Sequence, residues 1–224
     1  ATFPVTVGPD LTYSGGDGEA YVAKVNPAGT ALDYCGYIGG SGADDGSGIA
    51  VDSAGNAFVV GSTKSTEATF PVLIGPDLSY NGEWDAFVAK ANASGTALDF
   101  CGYIGGSNDD VGNDIAVDSA GDAYVAGGTR SDESTFPVSV GPDLTFYSAE
   151  YTGDAFVAKV STDGTLLWSS YLGGSGNDTF IGGAGQQAFD GGDGLVNVIP
   201  EGFDIGEHLD VDRGNDAVLS AALD

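Results

Sequence analysis

The stretch Ala20 to Gly42, AYVAKVNPAGTALDYCGYIGGSG, returns 66 residues later as AFVAKANASGTALDFCGYIGGSN, Ala86 to Asn108. A third copy, one residue shorter, runs AFVAKVSTDGTLLWSSYLGGSG from Ala155 to Gly176. Between copies lie GIAVDSAGNAFVVG (Gly48 to Gly61) and DIAVDSAGDAYVAG (Asp114 to Gly127), then TFPVLIGPDLSY (Thr69 to Tyr80) and TFPVSVGPDLTF (Thr135 to Phe146). A period this long, made of short strand-like segments, marks a repeat architecture in which each unit stacks on the next.

Within a unit, IAVD and NAFVVGST flank the turn Asp52-Ser53-Ala54-Gly55-Asn56, where Asp accepts local main-chain hydrogen bonds and Gly supplies positive φ. Asp118 to Asp122 repeats that turn. AFVAKAN and ALDFCGYIG flank a second turn, Asn92-Ala93-Ser94-Gly95. Two hairpins in series predict a four-stranded antiparallel meander, the blade of a β-propeller, and so an all-β fold. The TFPVxxGPDL segment joins the two hairpins as a long insertion, and Pro71 and Pro76 give it an edge or loop course.

The first unit has only its outer hairpin, residues about 19–39, and two full units follow at about 47–105 and 113–173. The chain opens with ATFPV, which matches Ala68 to Val72 in the middle of a unit. QAFDGGDGLVNVI, Gln187 to Ile199, can be laid on IAVDSAGNAFVV as a degraded inner hairpin, ending a repeat domain of residues 1–199. These pieces total about three blades, whereas closed propellers have four to eight. Three arrangements follow: two chains complete one ring, the chain is a piece of a longer protein, or the units stack openly. An open end leaves an unpaired strand edge, so self-association is expected. Residues 200–224 break from the repeat, and DAVLSAALD within them predicts a short helix capped by Asn215 or Asp216.

The succession GIAVDSAGNAFV, DAFVAKAN, GTAL and YIGGSG resembles the bacterial propeller-repeat family often called the seven-bladed β-propeller repeat, related in pattern to NHL-type blades. The resemblance covers roughly residues 19–176. It implies that IAVD is the innermost strand, that ALDFCGYIG is the outermost, and that the setting is extracellular, secreted or on the cell surface. The chain departs from the pattern by its TFPV insertion and by having too few units for a seven-bladed ring.

The formal net charge is −27, from 33 acidic and 6 basic residues. Such a surface repels nucleic acid and anionic lipid. No apolar run is long enough to span a bilayer and no leader precedes the repeats, so the chain reads as soluble, without membrane insertion. The acid excess has two readings: a solvated, halophile-like surface, or oxygen-rich loops that bind calcium. The concentration of Asp in Gly-rich turns favours calcium as a structural cofactor. The candidate metal ligands are the acids after each outer strand: Asp44 and Asp45, then Asp109, Asp110 and Asp114, then Asp178. Adjacent carboxylates there repel one another unless solvated or bridged by a cation. Asp52, Asp118 and Asp190, and the GPDL residues Asp10, Asp77 and Asp143, read as turn formers.

GGSGNDTFI, Gly173 to Ile181, also fits the calcium nonapeptide G-G-x-G-x-D-x-U-x. The next two nonapeptides put Gln187 and Val196 where the ligand Asp belongs, and a roll built here would exclude the degraded hairpin.

Cys35 and Cys101 stand at one repeat position, which Ser169 takes in the third copy, so both read as small buried thiols. Lys24, Lys90 and Lys159 share another position and are expected to pair with nearby Asp. The single His208 lies outside the repeats, and no nucleophile elbow, zinc helix or phosphate loop is present, so no catalytic residue is assigned. Trp168 is expected in the core or in inter-blade packing. Trp84 and Tyr151, in the variable insertion, are the candidate ligand-binding aromatics, with surface glycans as the matching partner.

These readings converge on a non-enzymatic secreted or cell-surface scaffold, structural or adhesive, stabilised by calcium and self-associating. A saccharide-binding module is the nearest rival. A propeller lyase or hydrolase would need polar side chains converging at the ends of Ile49–Asp52 and Ile115–Asp118. The sequence supplies Asp there, without a His or Arg partner.

Overall fold

A computed structural model describes residues 3–147 and 153–173, with the backbone of two short further strands, Thr179–Phe180 and Leu195–Val196. The described residues are all-β, without a helix. The first unit contributes a two-stranded antiparallel hairpin, β1 (Ala20–Val25) and β2 (Leu32–Ile38). The second is a four-stranded sheet in sequence order: β3 (Asp44–Val51), β4 (Ala57–Thr63), β5 (Asp85–Ala91) and β6 (Leu98–Ile104). The third repeats it with β7 (Asp110–Val117), β8 (Ala123–Thr129), β9 (Asp154–Val160) and β10 (Leu166–Leu172). All neighbours in these sheets are antiparallel, as the double-hairpin pattern predicts. β11 (Thr179–Phe180) pairs in parallel with β12 (Leu195–Val196). Most of the proposed final hairpin, the calcium nonapeptide apart from Gly173, Thr179 and Phe180, and the predicted tail helix lie outside the described residues.

The inner hairpins turn at Gly55 and Gly121, both at φ 87°, a backbone conformation that a side chain rarely adopts. Asp52 and Asp118 close these turns by accepting main-chain N–H groups two and four residues on.

Blades pack face to face, so a strand in the middle of the array is covered on both sides. β4 turns Ala57 and Val59 towards Val22 and Ile38 of the first unit, and Phe58 and Val60 towards Ile115 and Val125 of the third. That explains why β4 and β5 are buried along their whole length instead of alternating. The core therefore lies between blades.

The insertion runs along the outermost strand of its own blade. Leu73 N donates to Cys101 O, Cys101 N to Ile74 O, and Tyr103 and Asp77 exchange both main-chain bonds. Residues 6–10 do the same along β2. Each outer edge is thereby covered by a proline-bearing segment, which blocks edge-to-edge pairing there. Phe70 and Phe136 of the two TFP segments plug into the aromatic cores, against Phe87 and Tyr103 and against Phe156 and Tyr171.

Candidate functional site

The acids expected in loops sit elsewhere. Asp44 and Asp110 are the first residues of β3 and β7 and are fully buried. The register shifts just beyond them, at Gly46/Gly48 and Gly112/Asp114, and this irregularity hides the strand start from a pattern reading.

Each buried carboxylate ties one blade to the next. Asp44 Oδ2 accepts Gly40 N at 2.7 Å and Ser65 Oγ at 2.9 Å, and its Oδ1 accepts the Thr63 hydroxyl. Asp110 Oδ2 accepts Gly106 N at 2.6 Å and Ser131 Oγ at 2.9 Å. The glycines close one blade, whereas the hydroxyls belong to the inner hairpin of the following blade. Ser65 and Ser131 in turn accept Gly42 N (2.8 Å) and Asn108 N (2.9 Å), and their carbonyls accept the Tyr103 and Tyr171 hydroxyls at 2.9 Å. Thr69 and Thr135 accept the intervening Ser41 and Ser107 N–H groups. The G-G-S turn is thus a run of main-chain donors met by side chains of the next unit.

The other candidate ligands are spread out. Asp45 is exposed, and Asp109 takes an ion pair from Arg130 at 2.6 Å. Asp114 accepts Ile115 N and lies beside Gly48 of β3, while Asp178 lies outside the described residues. Among the described residues, no three His, Cys, Asp or Glu side chains gather as a metal centre.

The residue overlooked by pattern reading is Asp85, first in β5 and fully buried. Its Oδ2 accepts Asn81 N at 2.9 Å; its Oδ1 is buried with no hydrogen-bond partner. Burial, joined by the charges of Asp110 and Asp77, pushes its pKa up to about 7 against the pull of the Asn81 N–H. Burial likewise lifts Asp110 to about 6, against the pull of neighbouring donors that include the Gly106 N–H and the Ser131 hydroxyl. The acid before each A-[YF]-V-A-K strand (Glu19, Asp85, Asp154) and the repeated Thr-x-Ser of 63–65 and 129–131 were visible signals of this cluster.

The lysines divide. Lys159 lies 3.4 Å from Asp118 and 3.3 Å from Asp122, over the Tyr124 ring, in the pairing expected. Lys90 sits over Phe58 and donates to Thr162 of the next blade, while its charge is felt by Asp52; Asn56 stands in its unit where the third has Asp122. Lys24 is exposed. Cys35 and Cys101 are free and buried. Trp168 is half-buried, edge-on to Tyr124. Trp84 is half-buried with Lys64 Nζ 4.8 Å from its ring centre, and its carbonyl accepts Asp110 N. Tyr151 lies outside the described residues.

Serial four-stranded antiparallel blades joined by a repeated polar latch define a propeller-repeat array. The comparisons agree: residues 34–67 and 103–132 match the beta-propeller repeat family. The chain carries beta-propeller repeats of this family at these two places, and each match spans one latch, from the outer strand of one blade through the Thr-x-Ser of the next. A comparison with curated proteins found no match.

Proposed function

We propose that the chain is a non-enzymatic repeat scaffold that self-associates through the open side of its first unit. One observation carries this reading. Tyr21 of β1 is 56 % exposed, while its counterparts Phe87 and Phe156 are 0 % exposed. Ile49 of β3 is 56 % exposed against 6 % for Ile115. Val25 and Val51 are exposed too, and so is Lys24, whose counterpart Lys159 meets two turn acids. In the other units the positions of Tyr21 and Val25 lie beside a paired inner hairpin, β4 for β5 and β8 for β9, and Ile115 packs with Phe58 and Val60 of the preceding blade's inner hairpin. The edge of β1 fits a two-stranded hairpin of the same repeat pattern, brought by a second copy.

The scaffold reading also accounts for the polar side chains at the blade ends, which bind one another across blade junctions. The acid-rich surface suits calcium as a structural cofactor, and a secreted or cell-surface, adhesive setting is where such an array would work. The test is solution mass by light scattering for the chain and for Tyr21→Asp/Ile49→Asp. The reading expects an oligomer that the double substitution turns into a monomer. A native chain that is monomeric at every concentration would overturn it.

A further inference from the structure

We propose that Asp85 and Asp110 are two ligands of a calcium site built into the junction of the second and third blades, completed by main-chain carbonyls of the Gly106–Asn108 turn. The inference deepens the calcium-stabilised reading above and rests on it. It keeps Asp110 from the acids after the outer strands and adds Asp85.

Asp85 opens the third strand of one blade and Asp110 opens the first strand of the next, and both are fully buried. Each has an Oδ1 buried without a hydrogen-bond partner, the Thr129 hydroxyl beside Asp110 donating to Ser131 O instead. They crowd the same side of Gly105: a methyl group built there would lie 2.7 Å from Asp85 Oδ1 and 3.1 Å from Asp110 Oδ2. A methyl group on Gly82 would lie 2.9 Å from the same Asp85 Oδ1, 2.7 Å from Gly106 O and 2.3 Å from Asn108 O. Gly105 and Gly82 thus share Asp85 Oδ1 as a neighbour, the first with the Asp110 carboxylate and the second with the Gly106 and Asn108 carbonyls. Among the described residues no ion pair reaches either acid: Arg130 is engaged by Asp109 and Lys64 by Trp84.

Two buried carboxylates with free lone pairs are expensive unless a positive charge joins them. Calcium takes carboxylate and carbonyl oxygens in a flexible shell, whereas magnesium demands a near-ideal octahedron and retains its waters. The donor set suits calcium. The first junction repeats the plan with Glu19 for Asp85 and Asp44 for Asp110 about Gly39, where Glu19 Oε2 is also buried without a partner. There Thr63 donates to Asp44 Oδ1, so that copy has one fewer free oxygen.

The test compares melting of the full chain, Asp85→Asn and Asp109→Asn in excess EDTA and in about 5 mM calcium or magnesium at pH 8. Calcium is expected to raise the Tm of the native chain and of Asp109→Asn by ~5 °C or more, with magnesium much weaker, and to leave Asp85→Asn unmoved. Terbium supplies a second readout that does not depend on the variant folding. Its emission, sensitised by Trp84 beside Asp85, should be displaced by calcium and lost in Trp84→Phe. A calcium response that survives intact in folded Asp85→Asn overturns this site and leaves a calcium-stabilised chain. The absence of any calcium response, with stabilisation by acid alone, overturns both and gives the pair to a shared proton.

Discussion

The outer hairpins of the first and second units, β1–β2 and β5–β6, share nearly one sequence and live in different surroundings. Phe87 and Ala91 are sealed between β4 and the neighbouring blades, whereas Tyr21 and Val25 face outward. Lys90 and Lys24 part in the same way. Phe70 is buried against Phe87 and Tyr103, while Phe3 packs on Tyr21 and Tyr37 and stays exposed. Burial in a repeat array belongs to the junction: a side chain that is core in one unit is exposed in a unit whose inner hairpin is not among the described residues.

Substitutions should separate the two hairpins. Phe87→Ala should cost about 3–5 kcal/mol, the range for an emptied aromatic site, while Tyr21→Ala in dilute protein should cost little. Urea unfolding of both variants checks it, and equal losses would erase the distinction. Next in size are the latches. Ser131→Ala removes a donor to Asp110 and an acceptor for Asn108 N, and should cost about 1–3 kcal/mol, as should Ser65→Ala at the other junction. A double-mutant cycle should show the two junctions to be nearly additive, since they share no partner.

A smaller effect comes from the inner turn of the third unit. Burial pushes the Asp118 carboxyl up, but the Asp122 and Ala120 N–H groups and the Lys159 ammonium outweigh it and hold its pKa below the usual range. A depressed folded pKa means stability that is present above the unfolded value and lost as pH falls through the folded one. Asp118→Asn should therefore flatten the acid limb of the stability curve, measured by thermal melts between pH 5 and pH 2 (about the span over which a lowered Asp titrates). Asp122→Asn makes the third blade resemble the second, where Asn56 stands, and removes one of two partners of Lys159. Its cost should be no more than about 1 kcal/mol.

The repeat pattern disclosed the blades, their antiparallel order, the Asp-Gly turns, the buried cysteines and the edge course of the insertion. Each rests on local rules: alternation, turn chemistry and the missing N–H of proline. The strand starts at Asp44 and Asp110 were not legible, because GADDGSG and NDDVGN show charge and glycine where the buried partner is a hydroxyl network instead of an apolar wall. The same holds for Asp85, which reads as a solvated strand end until the Gly105–Gly106 turn and the next blade fold over it. The hydrogen bonds of Lys90 were not legible because their acceptor, Thr162, is a whole unit away, although its charge is also felt by Asp52 of its own inner turn.

Hydrogen exchange followed by mass spectrometry, at low and at high protein concentration, tests the central claim most directly. The amides of β5 and β9 should be protected at both concentrations, as they are enclosed by their own blades. The account predicts that β1 exchanges quickly when dilute and becomes as slow as β5 when a second copy covers its edge. A β1 whose exchange is independent of concentration would contradict it.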